Sequence, residues 1–260
     1  MNFHVKLANG RWGIGVLPQV KLQSGWRQGE ELFVKTPTGW RTVWRRQVVY
    51  VNTESRAGAS IFDLMGRPTK RSHYVFINRA LLYGGASSFA LRTGTFPAGS
   101  RLTIINESYI RGAGGAGGGH TTGLDGKPGG AALLLDFPVS VDNSKGFIFG
   151  GGGGGGGSYA ASRNAGAGGG AGRPGGGGGT SFQSSTLPFV SAQNGTDDVG
   201  GAGGGFPGYG PFGSAGGAPG KPGTAGTAPA GAAGSAVATN GFALVFTAGN
   251  DSTRVKGPIT

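Results

Sequence analysis

The sequence contains no cysteine, which excludes disulfides, thiolate metal sites and cysteine nucleophiles. Histidine is nearly as scarce. The three present, His4, His73 and His120, are scattered without HExxH or triad-like spacing, and no Walker or Rossmann glycine pattern stands in a strand-to-helix context. Nothing therefore points to an enzyme or a bound cofactor. Long apolar runs are missing too: no stretch reaches 18 residues, and the first residues, MNFHVKLANGRWGIGV, lack a signal-like core. The expectation is a chain without a leader and without membrane insertion.

Acidic residues are few, 11 Asp and Glu against 23 Lys and Arg, for a formal charge of +12. The excess is confined to one half. Residues 1–111 hold 16 cations and 5 acids, net +11, whereas residues 112–260 hold 7 and 6, net +1. A nucleic-acid-binding Arg-Gly tail would interleave arginine with glycine, but only Arg163 and Arg173 lie within the long glycine runs. Nucleic acid is not an expected partner.

What the chain has in quantity is glycine, 60 residues, with 14 proline. Such a composition is ordinarily disordered, because glycine offers nothing to bury and loses the most freedom on folding. Two sets of repeats argue against disorder. In the first, Val20-Lys21-Leu22-Gln23-Ser24-Gly25-Trp26-Arg27 matches Val34-Lys35-Thr36-Pro37-Thr38-Gly39-Trp40-Arg41, with a looser copy from Val5 to Trp12. Each reads as a β-run, a Gly-marked turn and a second run opened by Trp, which is hairpin punctuation. Residues 1–56 are read as a small β-module for attachment to a larger assembly. Residues 57–101, with β-prone runs at Tyr74–Asn78, Leu81–Tyr83 and Phe89–Arg92, are read as a β-rich connector.

In the second set, FPAGSRLTIINESYIRGAGGAGGG from Phe96 aligns with FPVSVDNSKGFIFGGGGGGGG from Phe137. Leu102-Thr103-Ile104 falls on Val139-Ser140-Val141, Asn106 on Asn143, Tyr109-Ile110 on Phe147-Ile148, and Gly112 on Gly150. Each copy reads as strand, Asx turn, strand and glycine run, taken together as a hairpin that launches its glycine run in a fixed direction. The runs can then fold through the backbone alone. Polyproline-II-like segments have three residues per turn and no internal hydrogen bonds, so every N–H and C=O can pair with a neighbouring segment. An interior segment needs glycine on all three faces, as in Gly150–Gly157, while an edge segment tolerates alanine, as in GAGGAGGG at Gly112–Gly119. Collagen is excluded because the strict triplet fails after Gly226. The fold class expected is a mainly β N-terminal part followed, over residues 102–260, by a bundle of packed polyglycine-II helices, with essentially no α-helix. The apolar closing segment Gly241–Gly249 is expected to return as a strand.

Between the glycine runs lie segments of a different character: His120–Asp125, Ser158–Asn164, Thr180–Val199 and Phe206–Phe212. If the runs are rods, these are loops at the two ends of the bundle, with alternate loops at opposite ends. The Asp197-Asp198 pair within them reads as a solvated turn, with a calcium site or a catalytic role as the alternatives.

The strand-turn-GAGGAGG pattern and the alternation of glycine runs with aromatic loops resemble the glycine-rich adhesins at the tips of T-even-type phage long tail fibres. The Trp-Gly repeat of Val5–Trp40 departs from that pattern and looks more like small β-modules of other phage tail proteins. The resemblance implies a virion protein attached to the tail or tail fibre by its N-terminal part, contacting an outer-membrane protein or lipopolysaccharide of a Gram-negative host through loops at the far end. Carried over position by position, the implied receptor contacts are His120, Tyr159, Arg163, Phe182, Leu187, Phe189, Phe206, Tyr209 and Phe212. The competing reading is a structural or ice-binding glycine bundle. It would favour a regular Thr/Ala face, which the sequence does not display.

Overall fold

A computed structural model describes residues 3–6, 12–15, 19–22, 25–28, 31–85, 89–119, 123–160, 163–183 and 188–260. The N-terminal repeat forms three antiparallel hairpins: β1 (Phe3–Lys6) with β2 (Trp12–Gly15), β3 (Gln19–Leu22) with β4 (Gly25–Gln28), and β5 (Glu31–Thr36) with β6 (Gly39–Arg45). The 14-residue match is a match of register. Lys6 lies opposite Trp12, Lys21 opposite Trp26 and Lys35 opposite Trp40.

From Gln47 the chain winds as a three-sided parallel β-helix. The first coil is β7 (Gln47–Asn52), β8 (Arg56–Ala57) and β9 (Ala59–Ser60), followed by the one-turn helix α1 (Ile61–Leu64), which Ser60 caps. The second is β10 (His73–Asn78), β11 (Leu82–Tyr83) and β12 (Phe89–Arg92). The third is β13 (Arg101–Asn106), β14 (Tyr109–Arg111) and, after a long excursion, β15 (Ala131–Leu134). The fourth opens with β16 (Val139–Asp142) and β17 (Phe147–Phe149). Its excursion contains a small antiparallel sheet, β18 (Ser158–Ala160), β19 (Arg163–Ala165) and β20 (Phe182–Gln183), and it closes with β21 (Val237–Ala238). A last partial coil holds β22 (Leu244–Ala248) and β23 (Val255–Lys256). All pairings between coils are parallel.

This corrects the hairpin expected at Leu102–Ile110 and Val139–Ile148. The two copies do not fold back on themselves but stack, with Leu102 on Val139, Thr103 on Ser140, Ile104 on Val141, Tyr109 on Phe147 and Ile110 on Ile148. The physical reason is that a parallel stack puts like on like. Alternate residues Leu102, Ile104, Val139 and Val141 share one interior with Phe76, Leu82, Leu91, Leu133 and Ile148, all buried, whereas isolated two-stranded hairpins would leave half of that surface wet. β7 already pairs with β10 in full register, so residues 47–56 belong to the first coil of this stack.

At the corner after the first sheet, Asn52, Asn78, Asn106 and Asn143 form a buried ladder. Each carboxamide Nδ2 donates to the Oδ1 of the next coil, at 3.0, 2.9 and 2.8 Å, and Asn143 ends the series on the Gly249 carbonyl at 3.1 Å. A side chain at Gly146 would collide with the Asn106 carboxamide.

The glycine excursions leave the third and fourth coils immediately after β14 and β17, and they pair through backbone alone. Along the second run, the N–H groups of Gly151, Gly154 and Gly157 donate to the carbonyls of Gly130, Lys127 and Leu124. Those of Gly152 and Gly155 donate to Ala171 and Gly168, and those of Gly153 and Gly156 to Lys221 and Thr224. Every third donor thus returns to the same neighbouring segment. Gly150–Gly157 is buried throughout, and a Cβ at any position from Gly150 to Gly156 would come within 2.4 Å of a carbonyl oxygen on one of three neighbours. Ala113 and Ala116, by contrast, are only partly buried. Ala167 and Ala171 are fully buried, so the interior admits methyl groups where one face is not crowded.

Two segments were hidden. Residues 190–196 read in sequence as part of one long loop from Thr180 to Val199, but Gly169, Gly195 and Gln193 donate backbone hydrogen bonds there to Gln193, Gly176 and Ala202. The stretch is another rod, with Gln193 and Asn194 outward. Farther on, Gly223, Gly231 and Gly234 recur at or near every third position because only the inward face of those segments meets carbonyls, at 2.1, 1.9 and 2.1 Å from an added Cβ.

Substitution at glycine should therefore depend on face rather than on residue type. Gly154→Ala is expected to destabilise by about 3 kcal/mol or more through overpacking. Gly177→Ala, where an added Cβ meets nothing within 4 Å, should be neutral or stabilise by about 0.5 kcal/mol. Asn106→Ala, which orphans ladder partners on both sides, should cost about 3 kcal/mol. Thermal or denaturant melts of the three variants check these values.

Candidate functional site

The rods have a near end against the β-helix and a far end. At the near end the turns are short. Arg173 N–H donates to the Gly112 carbonyl at 3.0 Å, just past β14, and Gly220 N–H to Gly150 at 2.7 Å, just past β17. Asp197 and Asp198 lie in the third such turn, on Arg111. The buried guanidinium donates to the Asp197 carbonyl at 2.7 Å and the Asp198 carboxylate at 2.8 Å, and it lies against the Tyr109 and Phe149 rings. Arg173 takes the Asp197 carboxylate at 2.9 Å. With both carboxylates engaged by arginine, the two acids clasp the bundle to the β-helix.

The long, aromatic connections are all at the far end, and neighbouring ones are tied together. Tyr159 N–H donates to Thr227 Oγ1 at 3.0 Å. Asn164 pairs with Phe182 across β19 and β20. The Arg163 guanidinium donates to the Tyr209 carbonyl at 3.2 Å, and Gly205 bridges both Val190 and Phe212. Tyr159, Phe182, Phe189, Tyr209 and Phe212 are 43–60% exposed, and Arg163 is half-buried. Six of the nine sequence candidates are thereby brought to one rim. His120 and Leu187 lie outside the described residues.

Phe206 is the exception. It is fully buried, because its N–H donates to Pro211 while its carbonyl accepts from Tyr209 and Gly210. This folds the turn over its ring, which packs beneath Phe189 at 6.2 Å between centroids. Its place is under the rim and not on it, so the ring expected as a receptor contact supports the loop from below. The sequence did not reveal this, since the flanking Gly and Pro that make the loop also decide which aromatic turns in. Nor did it reveal Thr227, whose hydroxyl ties a neighbouring turn to Tyr159.

Adjoining loops with exposed aromatic rings, carried on a common scaffold, are the arrangement in which binding surfaces are commonly found, and the class of protein is given by the family match. The family model of the phage tail fibre adhesin Gp38 matches residues 47–260, and the chain belongs to that family. Its place is therefore in the virion, on the tail fibre. No curated protein matches the chain. The solved gp37-gp38 adhesin tip complex of the bacteriophage S16 long tail fiber contains a similar chain, at 24% identity and a TM-score of 0.63 over 83% of each chain, a likeness of fold.

Phe206→Ala is expected to cost about 3 kcal/mol of local stability and to open residues 205–212 to protease. Phe212→Ala, at an exposed ring, should change stability by less than about 0.5 kcal/mol. Limited proteolysis alongside thermal melts distinguishes the two.

Proposed function

We propose that this adhesin sits at the distal tip of the fibre and recognises an outer-membrane protein or lipopolysaccharide of a Gram-negative host through the far-end rim. The observation that carries the reading is the gathering of Tyr159, Phe182, Phe189, Tyr209 and Phe212, all exposed, on adjoining loops at the end of the bundle remote from the β-helix. Rings of this size supply contact area at low entropic cost. The glycine segments are read as polyglycine-II helices, a reading supported by the return of every third donor to one neighbour. They contribute stiffness and not contacts, and the family and fold point to a binding protein in preference to an enzyme.

The N-terminal hairpins and the start of the first coil, within the sequence division 1–56, take the role of attachment to the fibre, with 57–101 as the connector. The solved neighbour is a complex with gp37, which supports a fibre protein as the partner on that side.

Binding of the purified chain to intact Gram-negative cells tests the rim. The Tyr209→Ala/Phe212→Ala pair should lower saturable binding at least about tenfold while leaving the melting temperature in place, and replacement of residues 181–189 by a Gly-Ser loop should lower it equally, with some loss of melting temperature because β20 and the Phe189 contact with Phe206 go with it. Undiminished binding by both would move the receptor site away from the rim.

A further inference from the structure

In the three-stranded sheet at the rim, Tyr159 lies opposite Asn164, and Asn164 opposite Phe182. Residues directly opposite share a face, so one face presents ring, carboxamide and ring in a single row. Tyr159 N–H points away from β19, to Thr227 Oγ1 at 3.0 Å. Tyr159 and Asn164 are therefore a non-hydrogen-bonded pair, the kind whose side chains stand closest, and two strand spacings set the rings about 10 Å apart. The rings are 55% and 43% exposed. Asn164 is partly buried between them, and its carboxamide, which can both donate and accept, makes no hydrogen bond to another described residue.

The row is held from beneath. Ser158 is buried on the opposite face, where its Oγ accepts from Thr227 N–H at 3.4 Å, and a Cβ added to Gly226 would come within 2.5 Å of that oxygen. The turn around Thr227 is thus locked against β18 through both its amide and its hydroxyl. The row is also uncharged. Arg163 is the one charged residue of segments 158–164, 180–190, 205–212 and 225–229; by alternation it faces away from the row, and its guanidinium goes to the Tyr209 carbonyl.

A ligand for this row must lay apolar faces on two separated rings and place between them uncharged groups that both donate and accept. Neutral pyranose units meet each requirement. Their C–H faces lie on aromatic rings, and their hydroxyls pair with both ends of a carboxamide. A phosphate or carboxylate would find no cation on this face to receive it. We infer that the Tyr159–Asn164–Phe182 row is a subsite for neutral sugar units of a host surface glycan. The inference rests on the reading of the rim as the receptor face, and for this part of the rim it selects sugar over protein.

The test uses the full-length chain and intact Gram-negative cells that it binds saturably. Mild periodate, which cleaves the vicinal diols of sugars, should lower binding at least about tenfold, and protease treatment of the cells should leave it unchanged. Oligosaccharide freed from the lipopolysaccharide of those cells, or their capsular polysaccharide, should compete, and the one that does identifies the source. Asn164→Leu, which keeps the volume and removes the hydrogen-bonding groups, should lower affinity about fivefold, and Tyr159→Ala at least about tenfold, each with an unchanged melting temperature. Asn164→Asp, which removes both amide donors, serves if the leucine variant melts early. Absence of saturable binding to any cells would overturn the rim reading and the inference with it. Binding that resists periodate, is lost after protease treatment and is still weakened by Tyr209→Ala/Phe212→Ala would overturn the inference alone. Competition by neither glycan, or periodate-sensitive binding left intact by the folded row variants, would overturn it as well.

Discussion

The structure depends on one constraint: extended backbones can approach closely enough to exchange hydrogen bonds on every side only where no side chain stands between them. In the second glycine run a single added methyl would sit 1.8 Å from the Ala113 carbonyl at Gly151, or 1.9 Å from the Ala116 carbonyl at Gly154. Glycine is thus retained there despite its entropic cost, which is offset by backbone pairing of nearly every donor in the run and not by apolar burial. Segments with one free side relax the rule to one glycine in three, and the outward positions accept Lys221, Thr224 or Gln193.

Such a bundle has no side-chain core to fix its register, and the β-helix supplies it. Parallel stacking of Tyr109-Ile110-Arg111 on Phe147-Ile148-Phe149 releases two glycine runs from adjacent coils, one strand spacing apart, already aligned to pair: Gly112 N–H meets the Phe149 carbonyl at 2.8 Å. The asparagine ladder holds the corner that sets this alignment, and the Arg111 clasp on Asp197 and Asp198 holds one of the turns that the bundle returns to the β-helix. Rigidity is handed outward in this order, from apolar core to ladder to rods to rim. The aromatic loops at the end are therefore free to vary in shape without bearing on stability, apart from the inward Phe206.

Much of this was legible in the sequence. The alignment of Leu102–Ile110 with Val139–Ile148, and of Asn106 with Asn143, is the register of the coils themselves, because a solenoid stacks its repeats in space as they align in sequence. The direction of pairing was not legible. Strand, turn and strand at that spacing serves a hairpin or two sides of a coil equally, and only the availability of like partners above and below decides. Residues 190–196 were not legible either, because a rod at the edge of the bundle needs so little glycine that it reads as a loop.

The sequence by itself determined that the glycine half would fold through its backbone, that loops rich in aromatics would join its rods, and that positive charge would gather toward the N-terminal side. All three follow from composition and repeat, which are local properties. Only the tertiary structure decided which loops share an end and which aromatic turns inward. Those outcomes depend on the path of each rod across the bundle, up or back, and that path is set by which neighbour's carbonyls a run of otherwise identical glycines comes to meet.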